Sequence, residues 1–338
     1  MNLKTKITEL HYAKNAKSIF LLEFASFFYG IASGLKNKLY DKNILKPKKV
    51  DAFVISVGNV TTGGVGKTPV VAEFAKYLIS QGENVAIVSR GYGGSLSNKN
   101  VNVISDGEKI YYSALEAGDE PFWHAENIQG VKVLTSKNRY MASKYAVEHF
   151  GVTKIILDDG FQHRKLHRDL DIVLMDSQKM FGNEKLLPAG PLREGKEAFS
   201  RIDKLVVVSK DIEHSKAEKL ARVMGKKLGV STQVCCTEPD FVYNIKTGEK
   251  LPKGSEAVAL CAIGQPQQFY SFLKDYKITK TIDFDDHHVY LEEEIPKGVV
   301  ITTEKDAVKM KDFNRDDIYA LKLKTIVDVK SLLEKSSF

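Results

Sequence analysis

Eight residues, Thr61-Thr62-Gly63-Gly64-Val65-Gly66-Lys67-Thr68, stand between an apolar run, Phe53-Val54-Ile55-Ser56-Val57, and a helical pattern from Val70 to Ile79. Strand, glycine-rich loop and helix in that order make a phosphate cradle. The glycines let main-chain N–H groups turn inward onto phosphate oxygens, and the helix presents its positive end to the same anion. In such a loop Lys67 reaches the β- and γ-phosphates of a nucleoside triphosphate, and the Thr68 hydroxyl holds Mg²⁺. The pattern wants glycine first; Thr61 stands there, with Gly58 three residues earlier. The bland alternative is an ordinary glycine turn opening a helix, and the flanking strand and helix weigh against it.

Three further groups carry chemistry. Asp158-Asp159-Gly160 closes an apolar strand, where a phosphate-loop enzyme places the second carboxylate of its metal site; Asp158 or Asp159 would meet Mg²⁺ opposite Thr68. Asp119 and Glu120, in Gly118-Asp119-Glu120-Pro121, could accept a proton from an attacking hydroxyl or join the metal shell. Phe284-Asp285-Asp286-His287-His288 suits a histidine oriented by a carboxylate better than zinc, because adjacent ligands fit one tetrahedral ion poorly. Taken singly, each of these acidic groups also reads as a solvated turn.

These groups need a scaffold of alternating strands and helices. Strands are expected at Asn84 to Ser89, Val131 to Leu134, Thr153 to Leu157, Asp171 to Met175 and Lys204 to Ser209, with a helix from Arg139 to Phe150. Near-continuous apolar strands argue for an α/β fold, a P-loop-type doubly wound, mostly parallel sheet with ligands at the strands' carboxyl ends. That core is expected over 41–238. A hairpin-like linker is expected at 239–254, and a second, smaller α/β domain over 255–338, with strands at Ala257 to Ile263, Thr279 to Phe284 and Gly298 to Thr302.

Composition is ordinary for a globular chain of 338 residues, 43% hydrophobic and 28% charged. Cys235, Cys236 and Cys261 offer neither a disulfide framework nor metal-ligand spacing. The first 50 residues hold ten lysines, no arginine and three acidic residues, which accounts for the whole formal excess of +7. The rest is balanced, so a basic surface for nucleic acid is not expected. Within residues 1–40, Phe20, Phe24, Phe27, Phe28, Ile31 and Leu35 form one stripe of an amphipathic helix, with Glu23, Ser26, Gly30 and Ser33 on another. Such a helix, flanked by lysines, either lies on an anionic membrane surface or packs its phenylalanines on the protein's own core. On the first reading, deleting residues 1–35 should weaken attachment more than chemistry.

Several segments in order resemble one family, the tetraacyldisaccharide 4′-kinases of Gram-negative bacteria, the lipid A 4′-kinases. They are Val57-Gly58-Asn59-Val60-Thr61 running into Gly64-Val65-Gly66-Lys67-Thr68-Pro69, then Ser89 to Gly94, Gly118 to Pro121, Asp158 to His163, Leu187 to Glu194, Ala262 to Pro266, Asp286-His287 and Thr303 to Ala307. The resemblance implies an ATP- and Mg²⁺-dependent kinase acting on the 4′-hydroxyl of the lipid A disaccharide 1-phosphate, peripheral at the cytoplasmic face of the inner membrane, with no obligate protein partner. It implies that Lys67 and Thr68 serve the phosphate loop and metal, Asp158, Asp159 and Glu120 the metal, and Asp119 the base, helped by His287. Arg90, Tyr92, Arg139 and Arg193 are implied to grip phosphate or sugar. The rival reading is a membrane-associated switch ATPase of the partitioning or cell-division kind; those carry lysine where this loop has Thr62. A binding module with a decayed loop is a third, opposed by both surviving carboxylate pairs.

Overall fold

The computed structural model describes residues 11–12, 20–96, 99–209, 214–264, 266–285 and 288–334. Its strands are β1 (Phe53–Asn59), β2 (Val85–Ser89), β3 (Asn102–Asp106), β4 (Lys132–Thr135), β5 (Lys154–Asp158), β6 (Leu170–Asp176), β7 (Lys204–Ser209), β8 (Ser231–Asn244), β9 (Glu256–Cys261), β10 (Lys277–Asp283), β11 (Val300–Thr303) and β12 (Ile318–Ile326). All join one sheet, in the order β10-β9-β11-β12-β8-β7-β6-β1-β5-β2-β4-β3. The helices that bear on the site are α1 (Phe20–Asp41), α2 (Lys67–Ser80), α3 (Asp119–Asn127), α4 (Arg139–Phe150) and α5 (Glu304–Ala307).

The α/β expectation holds. Parallel β1 lies between β5 and β6, and its residues are buried on both faces, which explains the unbroken apolar run. On one face Val70, Val71 and Phe74 of α2 pack with Ile87, Ile156 and Ile172. On the other, Ala142 and Ala146 of α4 pack with Leu134, Ile155 and Leu157. Because β1 and β5 are neighbours, the phosphate loop after one and the acidic pair after the other emerge side by side.

The segment expected as a linker from residue 239 begins inside a strand instead. The first part of β8 pairs parallel with β7, and its later part, through Asn244, pairs antiparallel with β12. The strand changes partners at Cys236, Pro239 already lies within the antiparallel part, and the hairpin follows, with Tyr243 bridging to Lys250. Strand β12 was not expected at all. Its alternation Leu321-Lys322-Leu323-Lys324 is a period-two signal diluted by lysines.

Helix α1 is turned outward. Phe20 is 81% exposed and Phe27 63%, and Phe24, Phe28, Ile31 and Leu35 are likewise exposed, so the stripe does not pack on the core. The opposite face docks. Ser26 Oγ donates to Leu186 O (3.0 Å) and accepts from Ala189 N (2.9 Å). Tyr29 donates to Arg193 O (2.7 Å), and Asn37 Nδ2 to Glu194 Oε1 (3.0 Å). The partner strap, 185–194, in turn braces the phosphate loop: Thr62 N donates to Pro191 O (2.8 Å) and Arg193 N to Val60 O (2.9 Å). Removing residues 1–35 would therefore also take away the Ser26 and Tyr29 contacts to this strap, while the Asn37 contact lies beyond the deletion.

Candidate active site

Main-chain geometry at the loop follows from its glycines. Gly63 (φ 104°) and Gly66 (φ 90°) hold left-handed conformations that a side chain would strain, and Gly66 sits immediately before α2. Gly58 serves differently: a Cβ there would stand 2.8 Å from Phe161 Cβ, so its hydrogen lets the Asp158–Phe161 turn close onto β1.

Lys67 Nζ donates to Asn59 Oδ1 (3.2 Å) and lies 3.6 Å from Asp159 Oδ1. Asn59, fully buried, is fixed by donating to Thr61 O, and its own carbonyl accepts from Gln162 Nε2 (2.8 Å). Asp159 sits at φ 55°, unusual outside glycine, and takes Arg193 Nη1 on both oxygens (2.8 and 2.7 Å). Burial opposes its charge, but Lys67 and Arg193 outweigh that and hold its carboxyl down at about 2. Arg139 donates to Asp159 O (3.4 Å), and burial lowers its pKa against the pull of the same carboxylate.

Asp158 is 3% exposed, and its Oδ1 has no hydrogen-bond partner. Its Oδ2 lies 3.4 Å from Nε2 of His124, a fully buried residue of α3. Glu120, one turn earlier on that helix and partly exposed at its side chain, has its pKa raised by desolvation in the cleft first and then by Asp158, with Lys305 and Lys67 pulling back. An orphaned buried carboxylate oxygen beside a carboxylate that resists ionising is an arrangement a divalent cation relieves. Among the described residues no three acidic, histidine or cysteine side chains converge as a preformed cage.

A cavity of about 250 Å³ opens at the start of α2, lined by Gly66, Thr68, Glu120 and Trp123 from the first half and Phe269 and Lys305 from the second. Asp119, at the start of α3, is 3.0 Å from Lys309 Nζ. Arg90 and Tyr92, by contrast, are exposed on the loop after β2. His287 and Asp286 lie outside the described residues. Lys67, Glu120, Asp158, Asp159, Arg139 and Arg193 thus come together. Asn59, His124, Lys305 and Lys309 were not singled out for roles in the sequence; only Asn59, directly at the strand end before the loop, carried a positional signal.

A family model described as tetraacyldisaccharide-1-P 4′-kinase matches residues 18–336. The tetraacyldisaccharide 4′-kinase of Halothermothrix orenii is 37% identical over 333 residues, covering 89% of this chain and 84% of that protein. The enzyme of that description from Geobacter metallireducens is 38% identical over 306 residues, covering 86% and 88%. Among solved structures, LpxK from Aquifex aeolicus in complex with ATP superposes with a TM-score of 0.76 at 33% identity, covering 91% of this chain and 96% of that one.

Proposed function

The chain belongs to the tetraacyldisaccharide-1-P 4′-kinase family, and from that premise we propose how its own residues carry the γ-phosphoryl group of ATP to the 4′-hydroxyl of the lipid A disaccharide 1-phosphate. What supports the assignment of roles is the proximity of Lys67, Glu120 and Asp158 near the joint carboxyl ends of β1 and β5, with Asp119 beside Glu120 in the chain at the start of α3. A switch ATPase is not favoured by the family match, and Thr62 lacks that class's lysine.

Main-chain amides of the loop and Lys67 bind the β- and γ-phosphates. The cavity at Thr68 and Trp123 is of a size and apolar lining to take the base. Thr68, Glu120 and Asp158 hold Mg²⁺, which when bound neutralises charge on the phosphate oxygens. Asp159 anchors Lys67 and Arg193, and Asp158, with one buried oxygen lacking a hydrogen-bond partner, is the better placed of the pair to meet the metal. The acceptor oxygen attacks the γ-phosphorus, the bond to the β–γ bridging oxygen breaks, ADP leaves, and the hydroxyl proton passes to Asp119. In a loose phosphoryl transition state the hydroxyl needs little early deprotonation, so placement matters more than basicity. His287 assists that proton transfer, and Arg139 and Arg193 steer the acceptor.

The experiment is direct. With γ-labelled ATP, Mg²⁺ and tetraacyl disaccharide 1-phosphate, label should enter the lipid; release of inorganic phosphate with unlabelled lipid would overturn the kinase reading.

No described helix is long and apolar enough to cross a membrane. The outward phenylalanines of α1, with the basic excess of the first 50 residues, suit an anionic surface at the cytoplasmic face of the inner membrane. The double variant Phe24→Glu/Phe28→Glu should lower partitioning onto anionic vesicles by about tenfold or more, since each ring loses its apolar burial in lipid. Its melting midpoint should not move, because these side chains are exposed. Unchanged sedimentation with vesicles would return the stripe to another use.

A further inference from the structure

Lys309 belongs to the second half of the chain, just past α5, and is 3% exposed. Its ammonium lies 3.0 Å from Asp119 Oδ2, donates to the main-chain oxygen of His288 at 3.0 Å, and stands 3.7 Å from Asp306 Oδ1. The ring of Tyr290 is 5.8 Å away. Its anchor is rigid: Asp306 is fully buried, and its Oδ2 accepts from Ala262 N (3.0 Å) and Thr303 Oγ1 (2.8 Å).

A buried ammonium is expensive unless it is paired, and here two oxygens stand 3.0 Å from it, His288 O from its own half and Asp119 Oδ2 from across the cleft, with Asp306 Oδ1 a more distant opposite charge. Neighbouring lysines make similar crossings: Lys305 lies 3.8 Å from Glu120, and Lys311 pairs with Glu126. Those two are partly exposed and so contribute little. Of these three lysines, Lys309 is the one withdrawn from water and the one paired with the residue assigned as base.

We propose that Lys309 is a positioning residue for phosphoryl transfer. Carried by the second half, it holds one oxygen of Asp119 in a buried ion pair across the cleft, so that the base is aimed by a residue from the far side. This rests on the reading of Asp119 as the proton acceptor, and the test separates the two.

Full-length Lys309→Met, Lys309→Arg, Asp119→Asn and the double variant Lys309→Met/Asp119→Asn are compared for kcat and for KM toward ATP and lipid, alongside melting midpoints. Lys309→Met should lower kcat by about 30- to 100-fold and leave KM for ATP within about threefold; Lys309→Arg should recover most of the loss. In the Asp119→Asn background, Lys309→Met should cost no more than about twofold further, because a residue acting through Asp119 has nothing left to act on. An equal loss in both backgrounds, or an unchanged kcat, would overturn the proposal. If Asp119→Asn alone left kcat intact, the base assignment would fail first. Should Lys309→Met not fold, Asp306→Asn decides. Its new amide would face the ammonium and displace it, so kcat should fall several-fold at steady KM, and an unaltered kcat would count against the idea.

Discussion

Lys67→Ala should lower kcat for lipid phosphorylation by at least about 10³-fold, the range associated with removing a cation from a transferring phosphoryl group. Lys67 is the cation that the loop itself carries into the site, and its place is set by Asn59 on one side and Asp159 on the other. Removing it leaves Asp159 still paired with Arg193 through both oxygens. The fold should therefore survive, with a melting midpoint close to the parent's. Labelled-lipid formation under saturating ATP is the measurement. Transfer within tenfold of the parent, from folded protein, would mean that another group does the work of charge neutralisation and that the loop is misassigned.

The second large effect is expected at Asp119. Asp119→Asn keeps size and hydrogen bonding but removes the proton acceptor, and kcat should drop by about 10²- to 10⁴-fold, the usual reach of a general base. Affinity for ATP should change little, since the proposal gives the phosphates to the loop and the nucleobase to the cavity at Thr68, whose lining does not include Asp119. The split between kcat and nucleotide Kd is the diagnostic, because loss of a transition-state interaction leaves ground-state binding alone. A variant that bound ATP poorly but turned over normally at saturation would reassign Asp119 to nucleotide binding.

What could be read from the sequence was whatever depends on neighbours along the chain. The phosphate loop is local, and its flanking strand and helix fell where the apolar periodicities placed them, with α4 and β7 matching to the residue. The Phe stripe was equally plain. Periodicity alone left open which face the protein would cover, since that depends on Ser26, Tyr29 and Asn37 finding acceptors more than 150 residues away. The acidic pairs were visible as pairs, but their division of labour was not: Asp158 and Asp159 are adjacent, yet only Asp159 meets Arg193. Lys309 was beyond reach for the same reason, because a lysine in a lysine-rich chain reveals nothing until tertiary packing buries it. Strand β12 and the later part of β8 were hidden by each other, as each becomes recognisable only as the other's antiparallel partner.

The shared strand has a consequence for modularity. With β8 hydrogen-bonded to β7 through its first residues and to β12 through its last, a protease cut or an engineered truncation between the halves would strip one flank of a central strand. A row of amides and carbonyls would then stand bare, open to aggregation with other chains. The C-terminal portion is thus no detachable cassette, because the strand that would join it to any new host is already stitched into the old one.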